Sequence, residues 1–552
     1  MVRRPLLALT AILLIGLSLP ACQRVARAAC PAGKLCLEYG NTADPTSLDP
    51  QLATATNESA ILRELFDGLV TDGPDGSPKP GVATRWEVSP DGLVWTFHLK
   101  PAKWSDGAPV TARDFVYAYQ RMLDPATGSS YAYLLYVLKN GAAVNAHQLP
   151  LSAVGAKALD DETLQLTLEH PAPYLPQILK HQAAFPVPRH AVERWGAAWV
   201  KPAHMVSNGP YRLVEWRLSD YVRIEKNPYF ADAASVCFDR VDFYPTGDPI
   251  AAERRILRGE IDINNAIQSN RVPRLRSRPD SRPYVHSHTY LGTSYLIFNR
   301  RDVAPLRDVR VRHAISMAID RRFITDKLLR AGQAPATGFV PPDIAGYLPL
   351  EAPHPGPYWK SWSLAQRQTE ARRLMAAAGY GPGHPLKLMI KTFNSPTSLM
   401  TVQSLQSDLR AIGLDASIRQ EDGIVALQSF EIRDFQLGMV AWIADYNDPM
   451  TFLSLMKSDT GPQNYGDFRN PQYDALLDKA DHEANGAVRA GYLAEAEQIM
   501  LSDADVAPIL TSVNLNLVNP HITGWVDSDT DIHPIRYLCR NDAPGRAIKP
   551  AL

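Results

Sequence analysis

The sequence predicts an α/β fold with helices packed on a partly parallel sheet, and three patterns carry that prediction. Residues 387–392 read as a strand, 400–412 as a helix and 415–419 as a second strand, the alternation that builds parallel layers. Helix starts are marked by capping chemistry. Ser363-Leu364-Ala365-Gln366 is a capping box opening a helix that ends at Gly379, and Asn470-Pro471 opens another with Tyr473, Leu476, Leu477 and Ala480 on its inner side. Residues 93–100 alternate, with Leu93, Trp95, Phe97 and Leu99 facing one way and Val94, Thr96 and His98 the other, as in a half-buried strand.

A chain of 552 residues is too long for one core and suggests two to four domains at roughly 150 residues each, with room for a cleft between them. Lysine plus arginine (57) balance aspartate plus glutamate (58) and no long basic run occurs, which argues against nucleic acid as a partner. The 45 prolines are scattered rather than repetitive, indicating many turns around an ordered body.

Arg3 and Arg4 precede an apolar run over residues 6–19, followed by small residues, so residues 1–28 read as an export signal. The run is shorter than the ~20 residues of a membrane-spanning helix, and no later stretch is long and apolar enough to be one. Cleavage has two candidates. Leu19-Pro20-Ala21-Cys22 resembles a bacterial lipobox with Cys22 as the lipid-bearing residue, and Ala26-Arg27-Ala28 offers a site that would release a soluble protein. The lipobox is preferred. Cys30, Cys36, Cys237 and Cys539 remain, an even number in an exported chain that allows three disulfide connectivities. We favour Cys30 with Cys36 and Cys237 with Cys539, the latter pinning a terminal segment. No C-x-x-C pair occurs, so a zinc site on these cysteines is not expected.

Along the chain, a short strand from Leu37 leads into a polar, proline-punctuated loop over residues 41–50. Residues 57–70 read as a helix with Ile61, Leu62, Leu65 and Leu69 on one side. Trp104-Ser105-Asp106-Gly107 makes a turn, and Thr111 caps a helix whose face carries Phe115, Tyr119 and Met122. Residues 163–169 alternate again. Residues 308–330 read as one helix with Ala314, Ile315, Ala318, Ile319 and Phe323 on its apolar face and Gly332 as its stop. The apolar run from Met439 to Ala444 then ends in Asp445 and the turn chemistry of Tyr446-Asn447-Asp448-Pro449. A carboxylate at the mouth of an apolar strand suits a cationic ligand group, because low local dielectric strengthens one opposite charge. On that fragment alone, a capping or turn aspartate is the default reading.

Signatures of catalysis are missing: G-x-S-x-G, H-E-x-x-H, the P-loop and G-x-G-x-x-G do not occur. Gly379-Tyr380-Gly381-Pro382-Gly383 follows a helix and reads as its terminating loop. Asp445 and Asp448 have the residue types of a glycosidase pair, but such spacing in a proline-bearing turn is ordinary. His286 and His288 share one side of a strand, yet two ligands do not make a metal site, and exposed strand histidines are the simpler account. No metal and no cofactor are expected.

An ordered series of motifs resembles the bacterial oligopeptide-binding proteins. It comprises Ser47-Leu48-Asp49-Pro50, Leu65-Phe66-Asp67-Gly68-Leu69, Trp95-Thr96-Phe97-His98-Leu99, Lys103-Trp104-Ser105-Asp106-Gly107 with Pro109-Val110-Thr111-Ala112, Asp114-Phe115-Val116-Tyr117, Val206-Ser207-Asn208-Gly209-Pro210-Tyr211, Gly259-Glu260-Ile261-Asp262, Asp308-Val309-Arg310-Val311-Arg312 and Trp442-Ile443-Ala444-Asp445-Tyr446-Asn447-Asp448-Pro449. The resemblance implies a two-lobed periplasmic binding protein fold with an interlobe cleft and an extra third domain. Residues 37–66, 193–291 and 513–552 would form lobe I, 67–192 the extra domain and 292–512 lobe II, with two chain crossings acting as a hinge.

By the same resemblance, Asp445 would pair with a peptide's α-amino group, while the backbone at Ala441, Trp442 and Ile443 would bond the peptide in strand-like fashion. Thr56, Asn57, Tyr131, Tyr290, Gly292 and Tyr295 would complete the walls. Two departures stand out. Relatives with a disulfide between the positions of Gly292 and Ile443 have cysteine at both, and here both are lost together. Positions that carry basic groups toward the peptide's carboxyl end in some relatives are Leu399, Phe430 and Met439 here, which leaves that end without fixed charge recognition. The implied protein is a non-catalytic, monomeric, periplasmic peptide binder serving an inner-membrane ABC permease, with a lipid anchor if Cys22 is used. Murein peptide, a nickel chelate and an opine-like solute are the alternatives within that architecture; a cleft hydrolase or chaperone carries little weight.

Overall fold

The computed structural model describes residues 30–542, so the export segment, with both cleavage candidates and Cys22, lies outside the described residues. The framework is an eleven-stranded sheet. Its order is Tyr211–Arg217, Tyr221–Lys226, Arg240–Tyr244, Cys36–Gly40, Ile263–Asn264, Val506–Val518, Val285–Phe298, Leu437–Ile443, Leu386–Phe393 and Leu414–Glu421, with Ala334–Pro335 added beside Val506–Val518. Cys36–Gly40 runs parallel to Arg240–Tyr244, and Leu386–Phe393 runs parallel to Leu414–Glu421. This is the mixed α/β sheet expected from the strand–helix–strand pattern.

Two long antiparallel strands, Val285–Phe298 and Val506–Val518, join the halves of the sheet. Their pairing is interrupted between Thr289 and Thr293. Before the break, Val506–Val518 pairs through Leu517 and Val518 with Ile263–Asn264; after it, residues 292–298 pair with Leu437–Ile443. The apolar interior divides in the same way. One cluster gathers side chains from Leu37 to Phe243 with C-terminal residues such as Ile535, and two others are drawn from residues 291–510. A separate four-stranded antiparallel sheet, Ala83–Val88, Val94–Leu99, Thr163–Thr167 and Ala156–Ala158, packs in the first cluster with the helix Ala112–Leu123.

Local signals are realised where they were self-contained. Trp95, Phe97 and Leu99 are buried on one face of Val94–Leu99. The Asp114 carboxylate accepts from the Thr111 amide at 2.7 Å, and Ser363 and Gln366 form the reciprocal box opening Leu364–Ala377. Both favoured disulfides, Cys30–Cys36 and Cys237–Cys539, are formed.

Two predicted helices are shorter than their periodicity suggests. The first spans Thr56–Leu65 rather than 57–70, because the Ser207-Asn208-Gly209 segment takes over its end. Gly209 donates to the Leu65 carbonyl at 2.8 Å, and the Asn208 side chain bonds both backbone groups of Asp67. A Cβ at Gly209 would lie 2.6 Å from the Leu65 carbonyl carbon, so only glycine permits this approach. The second covers Val309–Ala318, turns extended at Ile319, and resumes as the π-helical turn Phe323–Leu329. The break buries Arg321, whose guanidinium bonds the carbonyls of Ser316, Ala336 and Pro508, and it leaves Phe323 47% exposed rather than in the core.

Candidate functional site

The helix Thr56–Leu65, Tyr131, the end of the strand Leu437–Ile443 and the C-terminal segment converge on a cavity of about 520 Å³. Asp445 leaves the end of Leu437–Ile443 and faces this cavity. Its amide donates to Thr451 Oγ1 at 3.1 Å and the neighbouring Ala444 amide to the Leu291 carbonyl at 2.7 Å, which fixes the direction of the turn. The carboxylate accepts one hydrogen bond, from the Tyr133 hydroxyl at 2.6 Å. Burial raises its pKa to about 6, and the Tyr133 hydrogen bond offsets only part of that rise. Asp445 forms no ion pair among the described residues.

The two cations lining the cavity, by contrast, are already matched. Arg63 and Lys180 line the same cavity, but both bond Asp72, Lys180 at 3.0 Å. Asp448, three residues beyond Asp445, holds Arg489 with two bonds of 2.7 and 2.8 Å and caps the Met450 amide. It is 4% exposed, so the two aspartates do not form an acid–base pair across a common space. His181 packs 4.6 Å from the Tyr131 ring, and burial, with Arg63 and Lys180 beside it, holds its pKa well below the ordinary value, so it stays neutral. Tyr174 stacks on Tyr446 at 5.6 Å beside the Tyr133–Asp445 bond.

A second cavity of about 180 Å³ continues past Ala441. Its walls include Ser294, Phe393, Thr397, Met439 and Ser512, and no charged side chain among the described residues lines it. Between the cavities, Leu437–Ile443 is paired along one edge with residues 292–298, whereas on its other edge only Leu437 and Gly438 meet a strand, through Ile390 and Lys391. Residues 439–443 therefore offer backbone groups to an added extended chain.

Of the expected contacts, Thr56, Tyr131, Tyr290, Ile443 and Asp445 line the first cavity and Ala441 the second. Trp442 is half-buried, with its indole nitrogen 3.5 Å from Thr451 Oγ1. Three others are placed differently. Asn57 turns away to bond the Ala43 and Asp44 carbonyls, Tyr295 is 2% exposed against Phe339, and Gly292 is buried opposite its register partner Ile443. A Cβ on Gly292 would lie 2.3 Å from Ile443 Cδ1, so isoleucine fills the space between the strands. Phe430 is fully buried among Phe393, Phe435 and Tyr465, and Leu399 is half-buried against the core; only Met439 of the three substituted positions reaches a cavity.

Residues not anticipated from the sequence include Tyr133, Lys180, His181, Asp531 and His533. Tyr133 lies two positions from the expected Tyr131, but only folding brings its hydroxyl to a carboxylate 312 residues away. His286 and His288 are half-buried rather than exposed, and both approach Asp527.

The sequence matches the profile of the "Bacterial extracellular solute-binding proteins, family 5 Middle" over residues 77–464. The chain is 35% identical over 505 residues to the periplasmic oligopeptide-binding protein OppA of Salmonella typhimurium, covering 90% of this chain and 91% of that one. It is also 35% identical to the periplasmic murein peptide-binding protein MppA of Escherichia coli, covering 87% and 88% of the two chains. The structure superposes on Escherichia coli MppA with a TM-score of 0.83 at 34% identity, covering 92% of this chain and 99% of that one. The unliganded open form of MppA, also at 34% identity, superposes less closely, at 0.74 over 92% and 98% of the two chains. Haemophilus influenzae OppA complexed with RPPGFSPFR gives 0.82 at 29% identity, over 92% and 99%. The two-lobed architecture with a cleft between lobes is shared with these structures. No helix of the described residues is long and apolar enough to cross a membrane. The chain belongs to the bacterial extracellular solute-binding proteins of family 5.

Proposed function

We propose that this protein captures oligopeptides by their free amino end in the cleft between its lobes and delivers them to an inner-membrane ABC permease. The observation that carries this reading is Asp445: a half-buried carboxylate, held by one tyrosine hydroxyl and facing a cavity, with no ion-pair partner among the described residues. An ammonium entering the cavity gains a charge-assisted bond to Asp445, and leaving either charge alone there would cost several kcal/mol. The free edge at residues 439–443 supports backbone pairing with an extended ligand, which makes affinity largely independent of side chains. The relatives named for oligopeptide binding support the same substrate class.

In this reading residues 37–66, 193–291 and 513–552 make lobe I, 67–192 the extra domain and 292–512 lobe II. Val285–Phe298 and Val506–Val518 are the hinge strands, and Tyr133 brings the extra domain to the amino-end pocket. The protein acts without catalysis, as a periplasmic monomer, with a lipid anchor at Cys22 as the finer expectation. The uncharged second cavity favours ligands whose carboxyl end needs no fixed partner, which keeps a murein peptide, the ligand named for MppA, as a second reading.

The decisive experiment mixes the purified protein with a pool of tripeptides to pentapeptides and identifies what co-purifies by mass spectrometry. Intact peptides retained one per chain are the expected result; cleaved peptides would overturn a transport role. Asp445→Asn is expected to weaken binding of free-amine peptides at least tenfold while leaving N-acetylated peptides nearly unaffected, and equal loss for both would make the carboxylate structural only.

A further inference from the structure

We propose that His288, Asp531 and His533 form a binding site for a borderline divalent cation such as Zn²⁺ at the margin of the cleft. Each residue offers one ligand atom, and the three atoms lie within 4.8 Å of one another. His533 Nε2 and Asp531 Oδ1 are already 3.0 Å apart. Nitrogen and oxygen ligands bonded at about 2.0–2.2 Å to a tetrahedral cation stand roughly 3.3 Å from each other, so this pair opens slightly while the His288 nitrogen draws in from within 4.8 Å.

The surroundings orient these groups as metal sites require. His533 Nδ1 lies 3.0 Å from the Val526 carbonyl; donation there places its proton on Nδ1 and leaves the Nε2 lone pair free. Its ring stacks on Trp525 at 3.8 Å, which fixes the plane. Asn516 donates to Asp531 Oδ1 at 2.7 Å. On His288, Nε2 lies 2.6 Å from the Ser528 carbonyl, and donation there places its proton on Nε2 and leaves the lone pair on Nδ1; the Ser528 amide nitrogen lies 3.0 Å from the same atom. Its Nδ1 is buried without a hydrogen-bond partner, the Asp527 carboxylate lying 3.5 Å off. The His288 side chain is 12% exposed, so this nitrogen cannot rely on solvent.

Two imidazoles and one carboxylate are the donor set of a borderline cation and too few oxygens for Ca²⁺ or Mg²⁺. Asp531 and His533 both line the large cavity, so water or a donor atom of a solute bound there could complete the shell. The site also joins distant parts of the chain. His288 stands on Val285–Phe298, just before the break in its pairing with Val506–Val518, while Asp531 and His533 belong to the C-terminal segment, which bonds that strand again where the Leu291 amide donates to the Asp529 carbonyl at 2.9 Å. A cation there would clamp the two together. This inference is independent of the peptide reading, since it uses neither Asp445 nor the free strand edge.

The test uses the untagged full chain, stripped with chelator and titrated with Zn²⁺ by calorimetry, with bound metal counted by mass spectrometry after dialysis. One Zn²⁺ per chain, no response to Mg²⁺, and a Zn²⁺-dependent rise in melting temperature are expected. His533→Gln and His288→Asn are each expected to lose at least tenfold in affinity and to abolish that rise, whereas His286→Asn retains both. Metal-free circular dichroism establishes that each variant folds, and Asp531→Asn replaces any that does not. Co²⁺ in place of Zn²⁺ should give the intense visible bands of a four-coordinate site, lost in His533→Gln. Absence of stoichiometric Zn²⁺ in the parent chain, or equal binding by the His288→Asn/His533→Gln double variant, would overturn the proposal.

Discussion

Asp445 holds its proton more tightly in the folded chain than in the unfolded one, at about 6 against 3.8. Between those values the empty folded protein keeps a proton that the unfolded chain has released, so this group makes stability fall as pH rises through the window. Asp445→Asn removes the buried charge and is expected to raise the stability of the empty protein near neutral pH, by at most about 3 kcal/mol, as read by calorimetry without ligand. Binding runs the other way. An ammonium needs the ionised carboxylate, so affinity for a free-amine peptide is expected to fall as pH drops below about 6, while an N-acetylated control stays level; isothermal titration across that range checks both. Tyr133 donates to the carboxylate and favours its charged form. Tyr133→Phe should therefore move the midpoint of the pH dependence upward, and an unchanged midpoint would remove Tyr133 from the site.

The strand Leu437–Ile443 links the cavity at Asp445 to the second cavity, and the chemistry of the two differs. Because no charged side chain among the described residues lines the second cavity, amidating a peptide's carboxyl terminus should change affinity less than twofold, whereas a fixed basic partner would make the loss tenfold or more. The same strand tests how Ile443 packs over Gly292. Gly292→Ala puts a methyl against Ile443 Cδ1 and is expected to cost about 1–3 kcal/mol in chemical denaturation, with Ile443→Val, which deletes that carbon, recovering part of the loss. Elements whose signals were local were legible: Val94–Leu99 by alternation, Leu364–Ala377 by its capping box and Pro471–Asp481 by its asparagine cap. Those that end through distant contacts were not. Nothing within residues 57–70 announces that Asn208 and Gly209 will take the helix end, and nothing within 308–330 announces that burying Arg321 will break the helix in two.

Both halves of the sheet share Val285–Phe298 and Val506–Val518, and the C-terminal segment is bound back onto the first core. The Ile535 amide donates to Glu64 at 2.7 Å, Arg536 pairs with Asp67 at 3.1 Å, and Cys539 is bonded to Cys237, 302 positions away. Burial raises the Glu64 pKa to about 7, although Arg536 and the Ile535 amide counter that rise. Because that segment also supplies Asp531 and His533 to the cavity wall, loosening it should damage binding as well as stability. Cys237→Ser/Cys539→Ser is expected to lose about 2–5 kcal/mol, by the entropy its long closed loop withholds from the unfolded chain, and to weaken peptide capture in parallel. The Cys30→Ser/Cys36→Ser control closes a loop of only six positions and should cost less.

The order of motifs, the alternating and capped segments, and the isolated carboxylate after an apolar strand were enough to establish the α/β class and the family and to single out Asp445 as the leading candidate contact. Those features are local, and side-chain period, capping chemistry and motif spacing are written into consecutive residues. Folding decided that Tyr133 holds Asp445, that Asn57 and Tyr295 serve the core instead of the cavity, that Arg63 and Lys180 are spent on Asp72, and that His288 meets Asp531 and His533. Each of these depends on which groups remain without a partner once remote segments have packed. Hydrogen bonding and ion pairing are settled by proximity in space, which sequence separation does not measure.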